Sequence, residues 1–171
     1  MNYKNKFIAK GLGIIQHYNP EKYWKMRDYI QNFSVGGGIT LKYLWYVLRI
    51  KRMDAFANAS TGITIGDGSA YFETHPRLPH GLYGIIIAPG AHIGKNVRIC
   101  QQVTIGNDFV DASHVPYIGD NVEIYPGAKI VGAVKIGDNV KIGANAVVSF
   151  DVPANSTVVV ERPRVLIKDK I

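Results

Sequence analysis

With a single cysteine, Cys100, in 171 residues, the chain has no means of building an internal disulfide framework and no cysteine cluster for a structural zinc. A reducing compartment, the cytoplasm, is the expected location. Long hydrophobic runs are missing as well: the longest, Tyr43 to Leu48 and Gly84 to Ala88, fall far short of the roughly 20 apolar residues a membrane span needs. The first residues, MNYKNKFIAKGLGIIQHYN, offer only a short apolar stretch broken by glycine and no small-residue cleavage site, so no signal peptide is expected. Acidic residues are scarce, 13 against 20 Lys and Arg, which leaves a formal charge of +7. That excess favours a polyanionic partner. The basic residues are dispersed rather than gathered into one tract, which places nucleic acid behind acidic lipid and a phosphorylated cofactor. What the chain does have is 47% hydrophobic residues, enough for one domain with a sizeable core.

Those apolar residues repeat with a period of six: Ile87, Ile93, Ile99 and Ile105, then Ile118, Ile124, Ile130, Ile136, Ile142 and Val148. Two positions before most of them sits Ala91, Val97, Val103, Val122, Ala128, Val134, Val140 or Ala146. A helix is excluded, because a six-residue step turns it by about 600° and smears the aliphatics over its whole surface. Short strands joined by corners fit. The inward aliphatics alternate with outward His92, Arg98, Thr104, Glu123, Lys129, Lys135 and Lys141. Corners are expected at Gly90, Asn96, Asn121, Gly127, Asn139 and Asn145, residue types that tolerate positive φ.

Flanking segments divide the chain into 1–58, a short N-terminal helical segment; 59–148, the repeat domain with a loop at 107–117; and 149–171, a C-terminal cap and tail. Asn19-Pro20-Glu21 predicts a helix to about Asn32, with Asn as N-cap and Pro at the first position. Thr40 opens a second helix to about Ala55, after the Gly36-Gly37-Gly38 linker. Its aromatic and basic sequence admits a membrane-surface or scaffold role without catalysis, but packing of its apolar face within an oligomer is the preferred reading.

Between Ile105 and Ile118 the spacing is thirteen rather than six, so seven residues are extruded from one corner, and His114 stands on them. A second irregular stretch, 69–84, holds His75 and His80. Loops carried by a rigid scaffold are favoured places for function. Imidazole is the side chain suited to take a hydroxyl proton near neutral pH.

The repeat over 60–148 resembles the hexapeptide repeat of left-handed parallel β-helix proteins, in which three hexapeptides make one coil of a triangular prism. The left hand is implied by this resemblance, since parallel crossovers are otherwise right-handed. LPHGLYGIIIAPGAHIGKNVRICQQVTIG and the loop element His114-Val115-Pro116-Tyr117-Ile118-Gly119 are similar to segments of the serine acetyltransferase group. The resemblance implies a mainly β fold, a homotrimer, acetyl-CoA as acyl donor and a hydroxyl acceptor, without a metal. It implies His80 as general base, His114 as its partner on the loop, and Asn58 at the place of the acid that orients the base. Glu73 or a loop aspartate is an alternative orienting group, and His75 a less favoured base. CoA contacts are implied at Gly106, Pro126, Lys141, Ala144 and Arg162; Pro126 and Ala144 are eighteen residues apart, one full coil. Cys100 reads as a structural residue.

Two departures bear on the acceptor. Serine-using members carry Asp directly before the first histidine and Arg directly before the second; here Pro79 and Ser113 occupy those places. A guanidinium fork suits a carboxylate, so its loss moves the expected acceptor to a saccharide hydroxyl, as in O-acetylation of surface polysaccharides, with free serine as the alternative. A further rival of the same fold is a zinc hydratase resembling the γ-class carbonic anhydrases, with His75, His80 and His114 as ligands.

Overall fold

The computed structural model describes residues 18–33, 39–66 and 68–164; the expected Gly36-Gly37-Gly38 linker lies outside them. Among the described residues, two helices begin at their caps. The Asn19 side chain accepts from the Lys22 amide at 3.0 Å and opens α1, Pro20–Gln31. Thr40 Oγ1 accepts from the Tyr43 amide at 3.2 Å and opens α2, Leu41–Phe56.

Among the described residues thirteen short strands follow, all paired in parallel, and build a left-handed β-helix of triangular section. Face 1 stacks β1 (Ser60–Thr61), β3 (Ile86–Ile87), β6 (Thr104–Gly106), β9 (Lys129–Val131) and β12 (Val147–Val148). Face 2 stacks β2 (Tyr71–Phe72), β4 (His92–Ile93), β7 (Tyr117–Ile118) and β10 (Lys135–Ile136), and face 3 stacks β5 (Arg98–Ile99), β8 (Glu123–Ile124), β11 (Lys141–Ile142) and β13 (Thr157–Val158). Each strand pairs with the one a coil away, so Ile99, Ile124 and Ile142 lie in register. The nine isoleucines and Val148 of the repeat are all at most 2% exposed, an unbroken aliphatic column along the prism.

The corners turn through left-handed backbone where the repeat places Asn or Gly: Asn96, Asn121, Asn139 and Asn145 have φ of 54°, 56°, 57° and 58°. Between faces 2 and 3 the coils approach so closely that a Cβ on Gly94 would lie 2.7 Å from the Gly119 carbonyl. The column does not stop at Val148. Val152 bridges to Ile136, and β13 pairs with β11, so residues 149–158 close the prism as part of a fifth coil even though their sequence has lost the six-residue register.

The helices are fastened to the first coil by a buried polar cluster. Asp54 Oδ1 accepts from Tyr23 Oη at 2.7 Å, while its Oδ2 accepts from both the amide and the hydroxyl of Thr61 at 3.0 Å. Burial pushes the Asp54 carboxyl up despite these bonds. Arg27, 1% exposed, donates to the Ala70 carbonyl at 2.7 Å and lies over the Phe72 ring. This anchor fixes the end of α2, and with it Asn58, at the rim of the site described next.

Candidate active site

The edge between faces 3 and 1 is built from successive corners. The first is the turn that carries His80. Leu78 and Leu82 anchor it inward, Leu82 being 2% exposed, and the imidazole between them is turned out to solvent. Gly81 donates to the Leu78 carbonyl at 3.1 Å and Gly84 to the Ala57 carbonyl at 2.9 Å, tying the turn to the end of α2. Gly84 has φ of +64°, and a Cβ there would meet Gln102 Cγ at 3.1 Å, so the turn requires glycine. Further along, Gly127 donates to the Gln101 carbonyl at 3.1 Å and Asn145 to the Pro126 carbonyl at 3.0 Å, a ladder of backbone that continues the edge. Pro126 and Ala144 are therefore stacked one coil apart, as their spacing predicted.

Beside this edge lies a groove of about 500 Å³ lined by Asn58, Tyr83, Gln102, Thr104, Lys129 and Asn145. The Lys129 ammonium donates to the carbonyls of Gln102 at 2.8 Å and Gly127 at 3.0 Å, which holds a positive charge in the groove. The sequence reading missed Lys129, Gln102 and Tyr83 as lining residues. Lys129 was legible as an outward residue of the repeat, but nothing in the repeat distinguishes one outward lysine from the next.

The loop 107–117 projects from the edge between faces 1 and 2. It is held by its own carboxylates. Asp108 Oδ1 accepts from the amides of Val110 at 3.0 Å and Asp111 at 3.3 Å, with Phe109 forced to φ of 62° between them. Asp111 Oδ1 accepts from the amide and the hydroxyl of Ser113, both at 2.7 Å. The remaining Asp108 oxygen meets His114 Nδ1 at 2.9 Å. That hydrogen bond, with the charge of Asp108, raises the His114 pKa, and the same contact holds the Asp108 carboxyl below its ordinary value. A neutral His114 keeps its proton on Nδ1 toward the carboxylate and presents the Nε2 lone pair outward.

The expectation that a carboxylate orients His80 is not met among the described residues, where His80 makes no hydrogen bond or ion pair. Asn58 lines the groove at φ of 50° without bonding to it. Glu73 is engaged instead by His92 at 3.4 Å and Lys95 at 3.6 Å, and the loop aspartate is taken by His114, six residues away on the same turn. His75 stacks on Trp24 at 5.0 Å and bonds to Asp28 at 2.8 Å, joining α1 to the first coil. Among the described residues no group of three His, Cys, Asp or Glu could hold a metal ion. Cys100 is buried at a corner, its amide bonded to the Ile124 carbonyl at 3.0 Å.

The two candidate imidazoles stand on different edges of one prism. Val115 packs against the Gly90 corner and Asp108 against the Gly132 corner, so the loop stays on its own edge rather than crossing face 1. Between the edges lies the full width of that face, about 15 Å of extended chain. Gly106 falls at the root of the loop, on the His114 side, whereas Pro126 and Ala144 fall on the His80 side. Lys141 points outward from face 3, and Arg162 lies in the exposed tail beyond β13.

Replacing Asp108 by Asn removes the charge that favours imidazolium, so the His114 pKa in the D108N variant is expected to move down toward the ordinary 6.5, read from an NMR titration of the ring. By linkage, the stabilisation this pair gives the folded loop is complete only between the ordinary carboxylate and ordinary imidazole values, and is lost both as pH rises through the raised His114 pKa and as pH falls through the lowered Asp108 pKa. An unchanged titration in D108N would show that the pair does not form in solution.

Residues 116–149 match the family described as bacterial transferase hexapeptide (six repeats). The chain is 38% identical over 122 residues to the serine acetyltransferase of Helicobacter pylori, covering 70% of each. It is 46% identical over 100 residues to that of Staphylococcus aureus, of which it spans 46%. Among solved structures, the Neisseria gonorrhoeae serine acetyltransferase in complex with serine is similar at a TM-score of 0.63 and 31% identity, over 82% of this chain and 55% of that one. The soybean serine acetyltransferase is similar at 0.58 and 32%, over 74% and 50%. The chain thus spans about half the length of several of these relatives.

Proposed function

Because this chain belongs to the serine acetyltransferase-like group of hexapeptide-repeat acetyltransferases, we propose that it transfers the acetyl group of acetyl-CoA to a hydroxyl acceptor as a homotrimer. Its active sites would then lie between subunits. The observation that supports this is the separation of the two imidazoles. A threefold arrangement of parallel prisms sets the loop edge of one subunit against the His80 edge of the next, which brings His114 and Gly106 of one chain to His80, Pro126 and Ala144 of another.

In this reading His80 takes the proton of the acceptor hydroxyl as its oxygen attacks the thioester carbonyl. The tetrahedral oxyanion collapses, the carbon–sulfur bond breaks, and the imidazolium returns the proton to the leaving CoA thiolate. His114, oriented by Asp108, holds the acceptor through Nε2. The pantetheine arm runs along the backbone ladder at Pro126 and Ala144, and Lys129, Lys141 and Arg162 supply positive charge for the phosphates. The thioester is already activated, so the chain needs to supply a base, positioning and oxyanion donors rather than a covalent nucleophile.

Free serine is the acceptor that the relatives' names favour over the saccharide expected from sequence. The saccharide remains a second reading on one observation: Pro79 and Ser113 stand beside the histidines, and the Ser113 hydroxyl is committed to Asp111. An acceptor panel followed by release of the CoA thiol distinguishes them. Turnover with L-serine supports the first reading, turnover with sugars alone replaces it by the second, and no turnover with any hydroxyl acceptor overturns both.

A further inference from the structure

The two sides of α2 are unlike each other. Tyr43, Val47, Ile50 and Asp54 face inward and are at most 3% exposed. On the opposite side Leu41, Trp45, Leu48 and Phe56 are 87%, 51%, 68% and 54% exposed, at steps of three, four and eight residues that keep them within one arc of the helix. The inner side is the one that packs on the first coil and on α1. The outer arc is also cationic. Arg49 stacks over Trp45 at 4.9 Å and Arg52 over Phe56 at 5.8 Å, and Lys42 and Lys51 flank them. Asp54, the only acid of the helix, is buried on the inner side, so the outer side carries no carboxylate. Lys22 and Lys25 of α1 extend the positive surface past Trp45. The two stacked guanidinium groups frame a cleft of about 380 Å³ together with Trp45 and Phe56.

We propose that the outer face of α2 docks on an anionic phospholipid bilayer, with Leu41, Trp45 and Leu48 entering the headgroup boundary and Arg49 and Arg52 binding lipid phosphates. Charge complementarity selects this occupant. An apolar stripe flanked only by cations matches an interface that is apolar beneath a layer of phosphate. In an isologous contact a second copy of the same face would set guanidinium against guanidinium, and a heterologous contact with another subunit is the outcome that the sedimentation measurement below detects. Arginine stacked on an aromatic ring keeps its N–H edge free for a bidentate bond to phosphate. The helix lies along the surface and does not cross it, for among the described residues no helix is long and apolar enough to span a membrane.

Flotation of the full chain with vesicles at low salt tests the proposal, using phosphatidylglycerol and phosphatidylcholine at roughly one to three against phosphatidylcholine alone. The chain is expected to float with the anionic vesicles only. An Arg49→Gln/Arg52→Gln double variant is expected to bind about 25-fold more weakly, at about fivefold for each charge near the surface. A Leu41→Ser/Leu48→Ser variant is expected to lose at least tenfold through its apolar contribution. Lys95→Gln/Lys135→Gln removes the same charge from the prism and is expected to stay within about twofold. Three results would overturn the proposal: no flotation of the unaltered chain, an equal loss in the prism variant, which reduces the effect to the general charge of the surface, or a smaller assembly for Leu41→Ser/Leu48→Ser in sedimentation, which assigns the face to a second copy of the chain. Acetyl transfer to a soluble acceptor should be the same in all these variants.

Discussion

His80→Ala is expected to lower kcat for acetyl transfer by about 10³-fold, the scale of removing a positioned general base, while CoA binding measured by calorimetry changes little. The expectation rests on where the residue sits. His80 is exposed on a turn whose fold is secured by Leu78, Leu82, Gly81 and Gly84, so truncating its side chain leaves every hydrogen bond of the turn in place. The loss should appear in turnover and not in circular dichroism or assembly size. His114→Ala is expected to raise KM for the acceptor more than for CoA, since the loop is assigned to the acceptor. Turnover in His80→Ala within a few-fold of the unaltered enzyme would remove this residue from the mechanism.

The largest effect on stability is expected in the column. Ile124→Ala deletes a side chain with no exposure from the middle of the prism, where Ile99 and Ile142 lie in register on either side and the coils cannot collapse independently. The cost is about 2–5 kcal/mol, and a chain of this size should melt roughly 10 °C lower. Its neighbour Glu123 faces outward, with Arg98 at 3.4 Å as its ion-pair partner. Removing that partly exposed pair through Glu123→Ala should cost no more than about 1 kcal/mol. Two adjacent residues with such unequal effects test the inward and outward assignment of the whole repeat by thermal denaturation. Equal losses at both positions would contradict it.

Most of the fold was legible because a β-helix writes its geometry into a period. Each Ile of the repeat is buried for the same local reason as the next, and each Asn corner has nearly the same backbone angle. Both helix starts were legible from caps, which act over three residues. The closing coil at 149–158 was not, because Val152 and Val158 continue the stacking without the six-residue step. The site was legible in part. The extruded loop and its histidine follow from a spacing of thirteen, but the Asp108 to His114 bond depends on how that loop turns, which the spacing does not encode. The seating of the His75 ring on Trp24 beside Asp28 was not legible, because it depends on a contact with a helix residue 47 positions away in sequence. The outward row of Tyr71, His92 and Tyr117 was hidden by uneven spacing across the irregular first coil and the loop. In space His92 stacks on Tyr117 at 4.3 Å and on Tyr71 at 5.3 Å.

A site shared between neighbouring chains is the claim on which the functional account turns, and co-expression of two disabled chains tests it. His80→Ala and His114→Ala variants, each of low activity alone, are produced together and purified as mixed assemblies. Random mixing leaves about a quarter of the interfaces with both histidines intact, so activity near a quarter of the unaltered enzyme is predicted. Mixed assemblies no more active than the average of the two variants would place both histidines in the same subunit's site and contradict the account.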